Sequence, residues 1–403
     1  MQLSQLIKGV DVINISTDAA GDVSTLCYIA DNCEDGSMFV AISGLQHDGH
    51  DYIAEAVNRG ARYIIYDKDI QISSPVIGIR VRDSRRALSV LAKNIFGNPS
   101  AQLCLIGVTG TNGKTTTTYI LESILTQAGY KCGVLGTVNY RYNNKIYPAP
   151  NTTPESYEMQ KILRTMANEG ITHVIAEVSS HALDLKRIDD CDFDLGVFTN
   201  LSHEHLDYHL TMENYFQAKK RFFTEVLPQS KKVYPQKMII NGDDSWGQII
   251  LKDAILPALT FGVAEHNIIK AVKFELSLAG IRADIDLAGE IFSLQTPLVG
   301  KFNIYNILAA AAAAKALRIP SESIQAGIEN LSRVPGRVER IDSASGFTVL
   351  IDYAHKPDAL RQVLQNLTEF KKKRIITVFG CGGNRDKGKR PLMGEAATFY
   401  SDL

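Results

Sequence analysis

Nowhere in the 403-residue chain does an apolar run approach the roughly eighteen residues needed to cross a bilayer, so no membrane partner is expected. The first residues, MQLSQLIKGVDVI, lack a basic segment followed by an apolar core, and the expected location is the cytoplasm. Charge of one sign is missing too: 43 Lys and Arg meet 44 Asp and Glu, and the formal net charge of -1 offers no footprint for nucleic acid. Cysteine is sparse and scattered. Cys27, Cys33, Cys104, Cys132, Cys191 and Cys381 form no C-x-x-C pair, which argues for reduced thiols rather than disulfides or a zinc site, and Cys104 reads as strand filling. Internal repeats are lacking, and the one low-complexity stretch, Ala309 to Ala314, reads as a tightly packed helix.

The chain does contain GVTGTNGKTTTT, Gly107 to Thr118. The strict phosphate-loop pattern G-x-x-x-x-G-K-[ST] requires glycine at 108, where Val108 stands. Both flanks nevertheless fit. LCLIGV before the loop is a buried-strand run, and after it Ile120, Leu121, Ile124, Leu125 and Ala128 fall near helical spacing, with Gly129 as a stop. A Gly- and Thr-rich turn between strand and helix aims backbone N–H groups and the positive helix end at phosphate oxygens. In that setting Gly110, Gly113, Lys114 and Thr115 are expected to bind ATP or GTP, with Lys114 on the terminal phosphates and the Thr115 hydroxyl on Mg²⁺. The bland alternative is a glycine-rich turn with a solvated lysine.

The length predicts two or three domains. Residues 1–98 mix short apolar runs with helix-like stretches, as in a small α/β domain, and GNPS at 97–100 reads as a linker. Residues 99–333 alternate LCLIGV, THVIAEV, DLGVFTNL and KMIING with helices, as in a mainly parallel sheet covered on both faces. A second boundary falls at VPGR, and residues 334–403 carry the strand-like runs FTVLIDY and RIITVFGC, a helix between them and the start of another. Two parallel strands with so few helices cannot cover both faces of a sheet, so this part is expected to be half a domain in a truncated chain.

Phosphoryl transfer calls for metal ligands at strand ends. THVIAEVSSH delivers Glu177, and VFTNLSHEHLDYH places Glu204, His205, Asp207 and His209 just past another strand. Turn and capping chemistry would explain such clusters equally well. In the following amphipathic helix, Tyr215, Phe216, Phe222 and Phe223 mark the packed side, and Lys219 either points inward with them or is a surface lysine.

Taken in order, GTNGKTT, NTTP, EVSSHAL, FTNLSHEHLDYH, GKFNIYN, PGRVE, DYAHKPDAL and FGCGGNRDKGKRPLMG resemble the motifs of the Mur ligases over nearly the whole chain. Within that family they are most similar to the branch that adds the third residue of the bacterial peptidoglycan stem peptide. The resemblance implies an α/β fold in three domains: a UDP-sugar-binding first domain, a central phosphate-loop ATPase domain, and an incomplete Rossmann-like third domain. It implies a cytoplasmic enzyme, monomeric, that uses ATP and Mg²⁺ to join meso-diaminopimelate or L-lysine to UDP-N-acetylmuramoyl-L-Ala-D-Glu through an acyl phosphate.

Carried over residue by residue, the ATP site comprises Gly110, Thr111, Asn112, Gly113, Lys114, Thr115 and Thr116, with Asn303 and Asn306 near the adenine and Arg337 and Asp352 reaching over from the third domain. The metal set is Thr115, Glu177, His205 and Lys219, the last as a carbamate, and the catalytic set is Lys114, Lys219, His205 and Glu177. Asn151, Thr152, Thr153, Ser179 and Arg187 match positions for the muramoyl dipeptide, and Arg385 matches the grip on the incoming amino acid. Three places depart from the family pattern: Ala30 and Asp31 replace a Ser-Arg pair in the uridine loop, Glu204 replaces an Asp, and Asn384 replaces an Asp beside Arg385. Other readings are a sister ligase of the folylpolyglutamate type, a chain that binds nucleotide and UDP-sugar without turnover, and a GTPase or kinase. Against the last, NNKIY has Tyr147 where a guanine-reading N-K-x-D motif needs Asp.

Overall fold

The computed structural model describes all residues except 17–19, 45–46, 73–74, 234–235, 342–345, 372 and 383–386. Three sheets follow one another along the chain. The first has five strands in the order Val12–Ile15, Ile77–Val81, Tyr63–Tyr66, Met38–Val40 and Leu26–Cys27, parallel except at the Val12–Ile15 edge. Residues 97–100 are tied down rather than loose: Pro99 and Ser100 are buried, and the Ser100 hydroxyl accepts from the Asp192 N–H at 2.9 Å.

The second sheet has eleven strands, and its centre is the expected parallel array: Ala258–Gly262, Lys237–Asn241, Leu195–Phe198, Cys104–Thr109, His173–Glu177 and Cys132–Leu135. Alternate side chains of Cys104–Thr109 enter opposite cores, Leu105 on one face and Ile106 with Val108 on the other. Helices Lys114–Gln127, Phe302–Ala316 and Ser321–Glu329 cover one face, while Ser156–Asn168 and Met212–Arg221 cover the other. The alanine run 309–314 is wholly buried, its small side chains letting that helix lie close to the sheet and to Lys114–Gln127.

The edges depart from the sequence reading. Tyr140–Tyr142 and Lys145–Tyr147 form an antiparallel hairpin at one side, and Ile269–Ser277, Gly280–Leu287 and Ile291–Thr296 form an antiparallel meander at the other. The cause is turn chemistry. Asn143 and Asn144, and likewise Ala288 and Gly289, all have positive φ, the geometry of tight two-residue hairpin turns.

Among the described residues the third part pairs only Glu339–Ile341 with Val349–Ile351, antiparallel, beside helices Pro357–Thr368 and Lys389–Tyr400, which meet through Leu360, Leu364, Met393, Ala396 and Ala397. The expected strand RIITVFGC does not form. Its backbone partners here are Asp402 and Leu403, through bonds of 2.8 Å from Asp402 N to Ile375 O and from Thr377 N to Leu403 O. With no neighbouring strand to offer a continuous row of partners, the parallel Rossmann-like sheet is not assembled among the described residues of 334–403. No helix among the described residues is long and apolar enough to cross a membrane.

Candidate active site

The carboxyl ends of the parallel strands converge on one cavity of about 820 Å³. At its floor lies the glycine-rich loop that joins Cys104–Thr109 to helix Lys114–Gln127. Gly113 caps that helix at φ +87°, and a Cβ there would lie 2.3 Å from Asn306 Oδ1, so glycine alone keeps the cradle open. Lys114 folds its ammonium onto its own loop, donating to the carbonyls of Gly110 at 2.9 Å and Thr111 at 2.8 Å. Burial pushes this lysine below its usual range, offset in part by Glu177 and Glu204.

Glu177 ends the neighbouring strand, buried, and accepts from Thr115 Oγ1 at 2.9 Å, Thr137 N at 3.0 Å and Thr137 Oγ1 at 2.8 Å. Thr137 was not foreseen. A hydroxyl directly past the strand Cys132–Leu135 is the signal that would have found it. Arg337 crosses from the third domain to donate to the Thr115 hydroxyl at 3.2 Å. Asp352 accepts from the N–H groups of Val338 at 2.9 Å and Ala354 at 2.8 Å, while burial pushes its carboxyl up.

Glu204 and His205 stand at the side of the cavity. His205 holds a left-handed φ of +57°, a strained setting for a residue with a Cβ. Its imidazole is pushed down to about 4 by burial, against the charge of Glu204. Lys356 of the third domain donates to Glu204 Oε1 at 2.8 Å. Burial raises the Glu204 carboxyl, but this bond and the charge of Lys114 outweigh it and hold the group below its usual range. Against His205 packs His181, ring centroids 5.0 Å apart, another cavity residue outside the sequence-based set.

Lys219 is no surface lysine. It is 1% exposed, lies 4.7 Å from the centre of the Tyr215 ring and donates to the Gly110 carbonyl at 3.0 Å. Burial and the nearby charge of Lys114 drive its pKa well down. The helix that carries it, Met212–Arg221, continues into a π-turn over Phe222–Val226, a feature common at functional sites.

On the opposite wall, Thr153 Oγ1 donates to the Glu177 carbonyl at 2.7 Å and accepts from Ser179 N at 3.0 Å, and Arg187 donates to the Thr153 carbonyl at 3.2 Å. Thr111, Asn112, Thr116, Asn151, Thr152, Ser179, Arg187 and Asn306 all line the same cavity. Asn303 does not: buried behind the wall, it spends its amide N–H on the Val299 carbonyl at 2.8 Å and its oxygen on Asn306, the cavity residue beside it. Arg385 and Asn384 lie outside the described residues. No three of His, Cys, Asp and Glu gather as a ready-made ion cage among the described residues.

A phosphate loop, a strand-end carboxylate and cations leaning in from a third domain define a nucleotide-using enzyme that works at a junction of domains. Family models match along the chain: the Mur ligase family catalytic domain over 26–95, the Mur ligase middle domain over 108–314 and the Mur ligase glutamate ligase domain over 336–403. The chain belongs to the Mur ligase family, whose members are ATP-dependent ligases.

Two curated relatives are each named UDP-N-acetylmuramoyl-L-alanyl-D-glutamate–2,6-diaminopimelate ligase. The one from Geobacter metallireducens is 42% identical over 100% of this chain and 79% of its own length; the one from Geobacter sulfurreducens is 43% identical with the same shares. These shares do not by themselves support the expected truncation. A solved structure of a ligase of the same name superposes with a TM-score of 0.77 at 29% identity, covering 96% of this chain and 79% of that one.

Proposed function

We propose that this chain joins meso-diaminopimelate to UDP-N-acetylmuramoyl-L-Ala-D-Glu at the expense of ATP. The observation that carries this reading is that the phosphate loop, Glu177 and the Asn151-to-Thr153 wall with Arg187 face one another across a single cavity. Names carried by relatives about 40% identical point to the same acceptor and the same amino acid, in preference to L-lysine.

An amide does not form from a carboxylate and an amine at neutral pH without a leaving group. A carboxylate oxygen of the dipeptide attacks the γ-phosphorus of ATP, and ADP departs. The amine of the amino acid then attacks the acyl carbon, and inorganic phosphate leaves as the C–O bond breaks and a proton is lost from nitrogen. Lys114 turns from its loop carbonyls to the β- and γ-phosphates, which take their place as partners, and Arg337 neutralises charge from the other side. Thr111, Asn112, Gly113 and Thr116 complete the cradle, with Asn306 and Asp352 toward the nucleoside.

Thr115 and Glu177 are hard oxygen donors suited to Mg²⁺, an ion that takes one or two protein carboxylates and fills its remaining positions with phosphate and water. Mg²⁺ bound there would offset the charge of the transferring phosphoryl group. His205 is neutral at ordinary pH and so free to ligate through nitrogen. Burial and the charge of Lys114 disfavour the ammonium form of Lys219, which favours the amine that a carbamate at this position would need. Thr152, Thr153, Ser179 and Arg187 hold the acceptor, and Arg385 the carboxylate of the incoming amino acid.

In this scheme residues 1–98 take the uridine end, 99–333 the ATP, and 334–403 supply the ligase-domain side of the site. Mass spectrometry of the product from ATP, UDP-N-acetylmuramoyl-L-Ala-D-Glu and an equimolar mixture of meso-diaminopimelate and L-lysine tests the reading. A tripeptide product carrying diaminopimelate supports it; a lysine product or no product overturns it.

A further inference from the structure

Glu155 ends the Asn151-to-Glu155 segment and caps helix Ser156–Asn168, one carboxylate oxygen accepting from the Ser156 N–H at 3.1 Å. Its other oxygen takes two guanidinium groups at once. Arg85 Nη1 lies 3.2 Å away, from helix Ser84–Ile95 of the first domain, and Arg187 Nε lies 3.2 Å away, from the cavity wall. The side chains of Glu155, Arg85 and Arg187 are 12%, 17% and 16% exposed, so solvent screens them little.

Each arginine is anchored at its far side. Arg85 donates to the Ser43 carbonyl through Nε at 3.1 Å and Nη2 at 2.8 Å, and Arg187 donates to the Thr153 carbonyl at 3.2 Å. A continuous series of polar contacts thus runs from the Ser43 loop of the first domain to Thr153 on the cavity wall. Two neighbouring pairs, Arg86 with Asp190 and Lys186 with Asp83, cross the same junction, but none of their residues lines the cavity. Glu155 does not line the cavity either, but unlike those pairs it holds a residue that does, Arg187. Arg187 Nε makes no well-formed hydrogen bond, so the charge of Glu155 is what orients that edge of the guanidinium.

We propose that Glu155 is a positioning residue for the UDP-linked acceptor, setting Arg187 at the dipeptide end of the cavity in fixed relation to the domain that takes the uridine end. The inference rests on the functional reading above. It is tested by titration calorimetry of wild type, Glu155→Gln, Glu155→Asp, Arg187→Gln and the Glu155→Gln/Arg187→Gln double variant with three probes: UDP-N-acetylmuramoyl-L-Ala-D-Glu, UDP and ATP.

Glu155→Gln weakens the dipeptide-bearing probe about tenfold, the scale of one lost charge-assisted contact, and leaves UDP and ATP within about twofold. Glu155→Asp recovers most of the loss, and the double variant binds no more weakly than Arg187→Gln. Unchanged affinity in Glu155→Gln, losses that add in full in the double variant, or equal weakening of all three probes would each overturn the inference. A wild type that binds ATP but not the dipeptide-bearing probe would instead overturn the functional reading, and this inference with it.

Discussion

Gly113 and Gly129 stand at the two ends of helix Lys114–Gln127 with nearly the same backbone, φ +87° and +86°. Alanine at either site bears the left-handed penalty of roughly 1–2 kcal/mol. In a domain of 150–250 residues that corresponds to a drop in Tm of about 2–8 °C. The surroundings separate the two. Nothing lies within 4 Å of a Cβ at Gly129, whereas one at Gly113 would sit 2.3 Å from Asn306 Oδ1. Asn306 is 4% exposed and donates to Asn303 at 2.9 Å, so it yields only with local repacking, about 1–3 kcal/mol more. Gly113→Ala therefore melts lower than Gly129→Ala, and because Gly113 lines the cavity it loses at least about tenfold in ATP affinity while Gly129→Ala keeps it. Calorimetric melting with ATP titration measures both. A Gly113→Ala variant that binds ATP as tightly as Gly129→Ala would refute the reasoning.

Thr115→Val removes a hydroxyl that donates to Glu177 and accepts from Arg337, and is expected to abolish Mg²⁺-dependent ATP turnover while the far-ultraviolet circular dichroism stays unchanged. His173 gives a pH signature. Burial holds its imidazole at about 4, below the roughly 6.5 of the unfolded chain, so the unfolded state takes up the extra proton between those values and stability from this residue, full above about pH 6.5, is lost as pH falls toward 4. The loss is at most about 3 kcal/mol and nearer 1 for a partly exposed ring, and His173→Gln should flatten the denaturation midpoint over that window. Lys356→Ala, which frees Glu204, should cost under about 1 kcal/mol of stability yet speed proteolysis in residues 334–337 as the third domain loosens. Equal cleavage rates would count against the contact.

The parallel centre of the large sheet was legible because a doubly covered strand needs an apolar middle, and LCLIGV and the VIA of THVIAEV supply one. The antiparallel edges were not, because a strand such as Ile269–Ser277 is covered on one side only and its alternating polar residues resemble loop; the turn at Asn143 and Asn144 was the available clue. RIITVFGC misled for the opposite reason. Its composition favours a strand, but β structure needs a partner as well as a propensity. In the site, Lys114 and Thr115 could be picked out from one strand–loop–helix unit, Glu177 from the end of a second strand run and Lys219 from a helical face. Thr137, His181 and Lys356 could not, since they reach the cavity from separate elements whose meeting only the tertiary fold decides. Asn303 came only from the resemblance carried by GKFNIYN, which does not separate a residue that lines a cavity from one that holds its neighbour; here it accepts from Asn306.

The account stands on carboxylate activation at the phosphate loop, and the most direct test follows an oxygen atom. The chain is given ATP, Mg²⁺, meso-diaminopimelate and UDP-N-acetylmuramoyl-L-Ala-D-Glu labelled with ¹⁸O in the free glutamate carboxylate that accepts the amine, and the released phosphate is analysed by mass. One labelled oxygen per phosphate, absent in Lys114→Ala, is the predicted result. Unlabelled phosphate formed alongside tripeptide product would contradict an acyl phosphate and the mechanism built on it.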